Sequence, residues 1–116
     1  MNHSPEFRLM IQDGDDRYFG LGSYRLLKEI QKTRSVKEAA ADLDLSYSKA
    51  WKILNQAEIG AGTALVDRRQ GGKRGGLTEL TEEGRRYIRS YEAVMADLIR
   101  LGEESFRKHF SWLKED

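Results

Sequence analysis

The chain has no cysteine and one proline, Pro5. The first absence removes disulfides, thiol catalysis and cysteine metal sites, and it fits a reducing compartment. The second leaves everything after the N-terminus free of the residue that most strongly breaks helices. No apolar run approaches the roughly 20 residues of a membrane span, and the start MNHSPEFRLM lacks the basic-then-apolar plan of a signal peptide. A cytoplasmic address with no membrane partner is therefore expected. Histidine is nearly absent as well: His3 and His109 lie near opposite ends, without neighbours at metal-ligand spacing. Asp13, Asp15 and Asp16 lack the glycine and glutamate spacing of a calcium loop and read as a polar turn. Neither a nucleophile elbow nor a metalloprotease motif occurs. The expectation is a protein that is not an enzyme and carries no cofactor or metal.

What is present suits one folded domain spanning residues 1–116. Hydrophobic residues make up 39% and charged residues 34%, enough apolar side chain for a modest core beneath a wet surface. A net charge of +1 conceals a local imbalance. From Ser46 to Gly76 there are six basic residues against two acidic, a net +4, whereas from Leu77 onward seven basic face nine acidic, a net −2. Basic charge concentrated in this way marks a surface built for an anion.

Hydrophobic periodicity places the elements. Phe7, Leu9 and Ile11 alternate within FRLMIQ and predict a short strand ending in a turn at Asp13-Gly14. Leu21, Tyr24, Leu27 and Ile30 recur at helical spacing and predict a first helix over about 22–34. Ser35, with Glu38 three residues on, predicts a capping box for a short second helix, VKEAAADL. Ser46 or Ser48 caps a third, YSKAWKILNQAEIG, whose Ala50, Ile53, Leu54 and Ala57 share a face, and Gly60 and Gly62 are expected to end it. ALVDRR and LTEL read as two strands, followed by a last helix capped by Thr81 and spanning 81–113, with Glu82 and Glu83 at its positive end. Strand, helix, helix, helix, strand, strand, helix is the order of a winged helix-turn-helix: mostly α, with a small β-hairpin wing and a long C-terminal helix.

The segment Ser35–Glu58 carries the functional case. Ala39, Ala40 and Ala41 allow two helices to cross closely, and Leu43 or Leu45 supplies the buried aliphatic of the turn. Ser46, Tyr47, Ser48, Lys49 and Lys52 then give the third helix the polar, basic start that base edges and phosphates require. A plain helical hairpin with a solvated face offers the same helix start. The glycine-rich stretch RRQGGKRGG downstream decides between the two readings. It lacks the Gly-Lys-Ser/Thr of a phosphate-binding loop, because Arg74 follows Lys73, and its flanks are too small to be domains joined by a linker. A wing needs little side chain at its tip and basic residues for phosphate, and Arg69, Lys73 and Arg74 fit; Arg68 pairs locally with Asp67 or joins them. Trp51 reads as packing in preference to base stacking. Double-stranded DNA is the expected partner, and a protein-docking winged helix with only non-specific DNA affinity is the alternative.

These residues also resemble the N-terminal DNA-binding domain of the ModE-type molybdate-responsive regulators, a group related to the LysR-type helix-turn-helix. The likeness rests on SYSKAW (46–51), Asn55, LVDR (65–68), GGK (71–73), GG (75–76), and Leu80, Thr81 and Gly84. It implies a winged-helix dimer with the segment from Ser46 in the major groove and Lys73 on the wing. Members of that family carry oxyanion-binding modules after this domain. The residues up to Asp116 contain none, so the expectation is a stand-alone regulator, one served by a separate effector-sensing protein, or a piece of a longer chain.

Along the last helix, Ile88, Tyr91, Met95, Leu98, Phe106, Phe110 and Leu113 form a stripe too long for a three-helix body to cover. The turns around Tyr87–Tyr91 are expected to pack on the chain's own first helix and strand. Met95, Leu98, Phe106, Phe110 and Leu113 are expected to face a second copy in a homodimer. Gly102 reads either as a weak point or as a site of close contact.

Overall fold

Capping residues and a few left-handed backbone positions set the element boundaries. The computed structural model describes residues 2–69 and 77–113. Among them, β1 (Ile11–Asp13) and β2 (Asp16–Phe19) form an antiparallel hairpin. Then come α1 (Leu21–Thr33), α2 (Val36–Asp42) and α3 (Tyr47–Ala61). β3 (Val66–Arg69) pairs antiparallel with β4 (Leu77–Leu80), in a register that sets Val66 opposite Leu80 and Arg68 opposite Thr78. α4 (Glu82–His109) closes the chain. The architecture is a winged helix-turn-helix with a long C-terminal helix.

The N-terminus departs from the expected single strand. Phe7, Leu9 and Ile11 are half-buried and Glu6, Arg8 and Met10 exposed, so the alternation holds. The β-ladder nevertheless starts only at Ile11 and includes a second strand, DRYF. Gly14 sits in the turn at φ 59°, a left-handed angle glycine adopts without penalty. Residues ahead of Ile11 lie against α4: the Tyr91 hydroxyl donates to the Leu9 carbonyl at 2.9 Å. A side chain on Gly102 would collide with the Phe7 ring, so Gly102 is a close-contact site.

The helix-turn-helix forms where its small residues fall. Ala39 and Ala40 are buried between helices while Ala41 is exposed, and Leu43 and Leu45 are both half-buried in the turn. Asp44 takes φ 56° there, a conformation its short polar side chain tolerates, and Leu45 N–H donates to the Ala40 carbonyl at 2.8 Å. Ser35 caps α2 by accepting from Glu38 N–H at 3.1 Å. Only half of the expected capping box is made, because Ser35 N–H donates to Thr33 Oγ1 at 3.3 Å. α3 ends at Gly62, φ 71°, whereas Gly60 is helical and owes its identity to Tyr18, whose ring occupies the space of a side chain.

Phe19, Leu26, Leu27, Ile30, Leu54 and Leu65 fill the centre of the core, and Ile88 and Tyr91 close it from α4. α4 is capped by Thr81 Oγ1, which accepts from Gly84 N–H at 3.0 Å while donating to the Ala64 carbonyl at 2.8 Å. It stops at His109, one turn short of the expected end at Leu113. Phe110 caps it and Leu113 N–H folds back to the Phe110 carbonyl at 3.0 Å. Its 28 residues span about 42 Å at ~1.5 Å per residue, which sets the long axis of a molecule measuring 62 × 32 × 21 Å.

Candidate nucleic-acid interface

The outer face of α3 begins with a cap. Ser46 Oγ accepts from Lys49 N–H at 3.1 Å, so the first turn is fixed and its free N–H groups point outward with the helix dipole behind them. At 100° per residue, Ser48, Lys52, Asn55 and Ile59 fall on one stripe, and all four are exposed. Tyr47 is 56% exposed beside the stripe, and Lys49 is exposed on its flank. Thus five residues expected to meet DNA (Ser46, Tyr47, Ser48, Lys49 and Lys52) are gathered on one helix end. Asn55, whose amide can pair with adenine, extends the same stripe by a turn.

The β3–β4 pair flanks this stripe on one side. Glu58 Oε2 accepts from Leu65 N–H at 2.8 Å and Val66 N–H at 3.2 Å, fixing the start of β3 to the end of α3. Thr78 N–H donates to the Arg34 carbonyl at 3.1 Å, fixing β4 to the α1–α2 corner, and Arg34 also pairs with Glu79. Arg68 lies over the Trp51 ring, 3.6 Å from its centroid, and Tyr47 meets that ring edge-on at 6.2 Å. Trp51 itself is half-buried against the core, in keeping with a packing role. Arg69 belongs to β3, while Lys73 and Arg74 lie outside the described residues.

The β1–β2 hairpin flanks the other side. Gln56 Nε2 donates to the Arg17 carbonyl at 2.9 Å, and Tyr18 packs on Gly60. Between hairpin and helix lies an open cleft of about 1070 Å³ that brings Asp13, Asp15 and Asp16 opposite Ser48, Lys52 and Asn55. The Asp-Gly turn followed by an aromatic strand was the available signal for the hairpin, but nothing in the sequence says where its tip points.

The perturbed titrations lie on α4 and the elements packed against it, away from the α3 stripe. Burial, reinforced by a hydrogen bond to Glu92, pushes Tyr24 up to about 12, and burial with the 2.9 Å Tyr18–Tyr87 hydroxyl contact does the same for Tyr87. The Tyr24 hydroxyl, followed by Lys28, holds Glu92 below the usual carboxylate range.

Of the residues expected at a dimer contact, Met95, Phe106 and Leu113 are half-buried, and Leu98 and Phe110 are 37% and 44% exposed. The chain's own N-terminal arm accounts for part of that cover, since His3, Ser4 and Pro5 line a cavity with Phe106, Phe110 and Leu113. Beside the arm, Val94, Ile99, Leu101 and Trp112 are also exposed.

The family described as "Bacterial regulatory helix-turn-helix protein, lysR family" matches residues 21–85. Among curated relatives, the chain is 37% identical over 91 residues to a transcriptional regulator ModE of Yersinia pestis, covering 78% of this chain and 32% of the relative. It is 40% identical over 70 residues to a molybdenum transport protein ModE of Azotobacter vinelandii, covering 60% of this chain and 26% of the relative. It is 39% identical over 69 residues to a DNA-binding transcriptional dual regulator ModE of Escherichia coli, again covering 60% and 26%. The chain thus matches between a quarter and a third of the length of these relatives.

Proposed function

Because the chain belongs to the lysR family of bacterial regulatory helix-turn-helix proteins, we propose that it acts as a dimeric, sequence-specific DNA-binding regulator of transcription. The capped, exposed stripe Ser48–Lys52–Asn55, set beside the β3–β4 pair, is the observation that carries this reading. In it, α3 enters the major groove, with Ser46, Tyr47, Ser48, Lys49 and Lys52 meeting base edges and phosphates. Arg69, Lys73 and Arg74 contact the backbone or minor groove from the wing. Two copies joined through α4, with Met95, Leu98, Phe106, Phe110 and Leu113 at the contact, present two recognition helices about 34 Å apart, one DNA turn. One relative is named a molybdenum transport protein and others transcriptional regulators. By that likeness the genes under control concern molybdenum.

The test is a selection of bound fragments from genomic DNA at physiological salt, with and without molybdate, followed by sequencing. Enrichment of a two-fold symmetric site without molybdate is expected. Enrichment that depends on molybdate would place sensing within this chain. If no motif is enriched in either condition, the reading fails and a protein-docking winged helix takes its place.

A further inference from the structure

We propose that Trp51 and Arg68 are positioning residues that lock β3 to α3, so that the recognition helix and the β3–β4 pair meet DNA as one rigid body. The inference rests on the DNA-binding reading above.

β3 is tied to α3 at two points. The first is the Glu58 carboxylate, which holds the Leu65 and Val66 N–H groups. The second is the Arg68 guanidinium on the Trp51 ring, at 3.6 Å. On the helix, the seven residues from Trp51 to Glu58 span about 10 Å. On the strand, the two or three residues from Leu65 or Val66 to Arg68 span roughly 7–10 Å. The two intervals match, so the two ties fall at corresponding points along strand and helix. Tyr47 packs on Trp51 with the two rings crossed at 81°, and Trp51 is partly buried against the core, so the indole is held in place beneath the cation.

A stacked guanidinium commits its flat face and keeps its N–H edge for other partners. Arg68 can therefore hold the strand and still donate outward. Without the second pin the strand can swing about the Glu58 end. Its phosphate contacts then lose their fixed offset from the base-reading stripe, and ordering the two parts becomes a cost of binding. That cost falls on the matched site, where helix and strand must engage together. A non-specific duplex, bound mainly by charge, avoids it.

The experiment uses the full chain with its selected site and an unrelated duplex, each titrated at several salt concentrations. Arg68→Lys keeps the charge and loses the planar stack; Arg68 is exposed, so this change does not threaten folding. Trp51→Leu removes the ring, and Trp51→Phe restores a smaller one. Arg68→Lys and Trp51→Leu should each weaken the selected site about three- to fivefold, the scale of a cation–π contact at an exposed site. Both should leave the unrelated duplex within about twofold and the salt slope unchanged. The double variant should be no worse than the weaker single, because the two residues act as a unit. Trp51→Phe should recover part of the loss. Parental affinity in Arg68→Lys, or additive losses in the double variant, would overturn the proposal and make Arg68 a plain phosphate contact.

A second measurement needs no DNA. Trp51 and Trp112 are the two tryptophans of the chain, so in a Trp112→Phe background the emission reports Trp51 alone. Arg68→Lys should shift it, and an unchanged spectrum would remove the clamp. If the parent selects no site, the DNA reading and the positioning role fall together, and the emission still shows whether the two residues touch.

Discussion

Gly84 and Gly102 are glycines because of what stands beside them. A β-carbon on Gly84 would lie 2.2 Å from the Leu65 carbonyl oxygen, a backbone atom that cannot rotate aside. On Gly102 it would lie 2.0 Å from Phe7 Cζ, the far end of a side chain on the N-terminal arm, which can move. Gly84→Ala should therefore destabilise the protein by ~2–3 kcal/mol, as overpacking of a tight site does. Gly102→Ala should stay within about 1 kcal/mol, since displacement of the arm is offset by better helix propensity. Chemical denaturation of both variants tests the contrast, and equal midpoints would refute the close seating of α4 on Leu65. The tyrosines give a second prediction at this scale. Tyr24 and Tyr87 have folded-state values raised from 10.0 to about 12. A raised value means that ionisation favours the unfolded chain, so the stability they lend is intact below pH 10 and is lost as pH rises toward 12. Phenolate absorbance should show three late-titrating tyrosines, since burial raises Tyr91 as well, and Tyr24→Phe and Tyr87→Phe should each remove one. On the acid side, Glu92 is depressed, so its contribution is present above the ordinary carboxylate value and lost as pH falls through the folded one.

The elements differ in how openly the sequence announced them. Thr81, Ser46 and Ser35 each cap the helix that follows, because a side-chain oxygen is the cheapest partner for a free N–H at a helix start. α2, α3 and β4 accordingly lie where periodicity and caps put them. β2 was not legible: four residues that open with Asp16 and Arg17 do not alternate convincingly, and their strand character comes from pairing with β1 and from Tyr18 and Phe19 reaching α3, α4 and the core. The resulting hairpin sets three carboxylates beside the stripe assigned to DNA. Asp15→Asn with Asp16→Asn should raise affinity for any duplex a fewfold at low salt, and the gain should vanish as salt screens the charges. No change at any salt concentration would mean that the phosphate backbone does not pass the hairpin.

Across the whole molecule, α4 outruns the body that it closes. Its first turns carry Gly84, Ile88 and Tyr91 into the core, while Val94, Leu98, Ile99 and Leu101 farther along, and Phe110 at its cap, remain exposed. Exposed apolar residues in such a series suit a partner surface. The proposed dimer predicts sedimentation at twice the 13.4 kDa chain mass. Leu98→Arg should return the protein to a single chain, weakening a two-fold site far more than a half-site. A parent that sediments as one chain at every concentration would refute the dimer, leaving the α3 assignments untouched.

By itself the sequence determined the helix-turn-helix, the two strands around the glycine-rich run, and the sign of the charge carried there. All of these follow from local rules: apolar spacing along a helix, oxygen-bearing caps, small residues at a crossing, and basic residues gathered in one stretch. The pairings between segments far apart in the chain were decided only by the tertiary structure. Arg68 meets Trp51, Gln56 holds the backbone of Arg17, Phe7 lies on Gly102, and Leu65 presses on Gly84. Each of these depends on where two elements dock. Docking is set by the packing of the whole core, which no window of neighbouring residues contains.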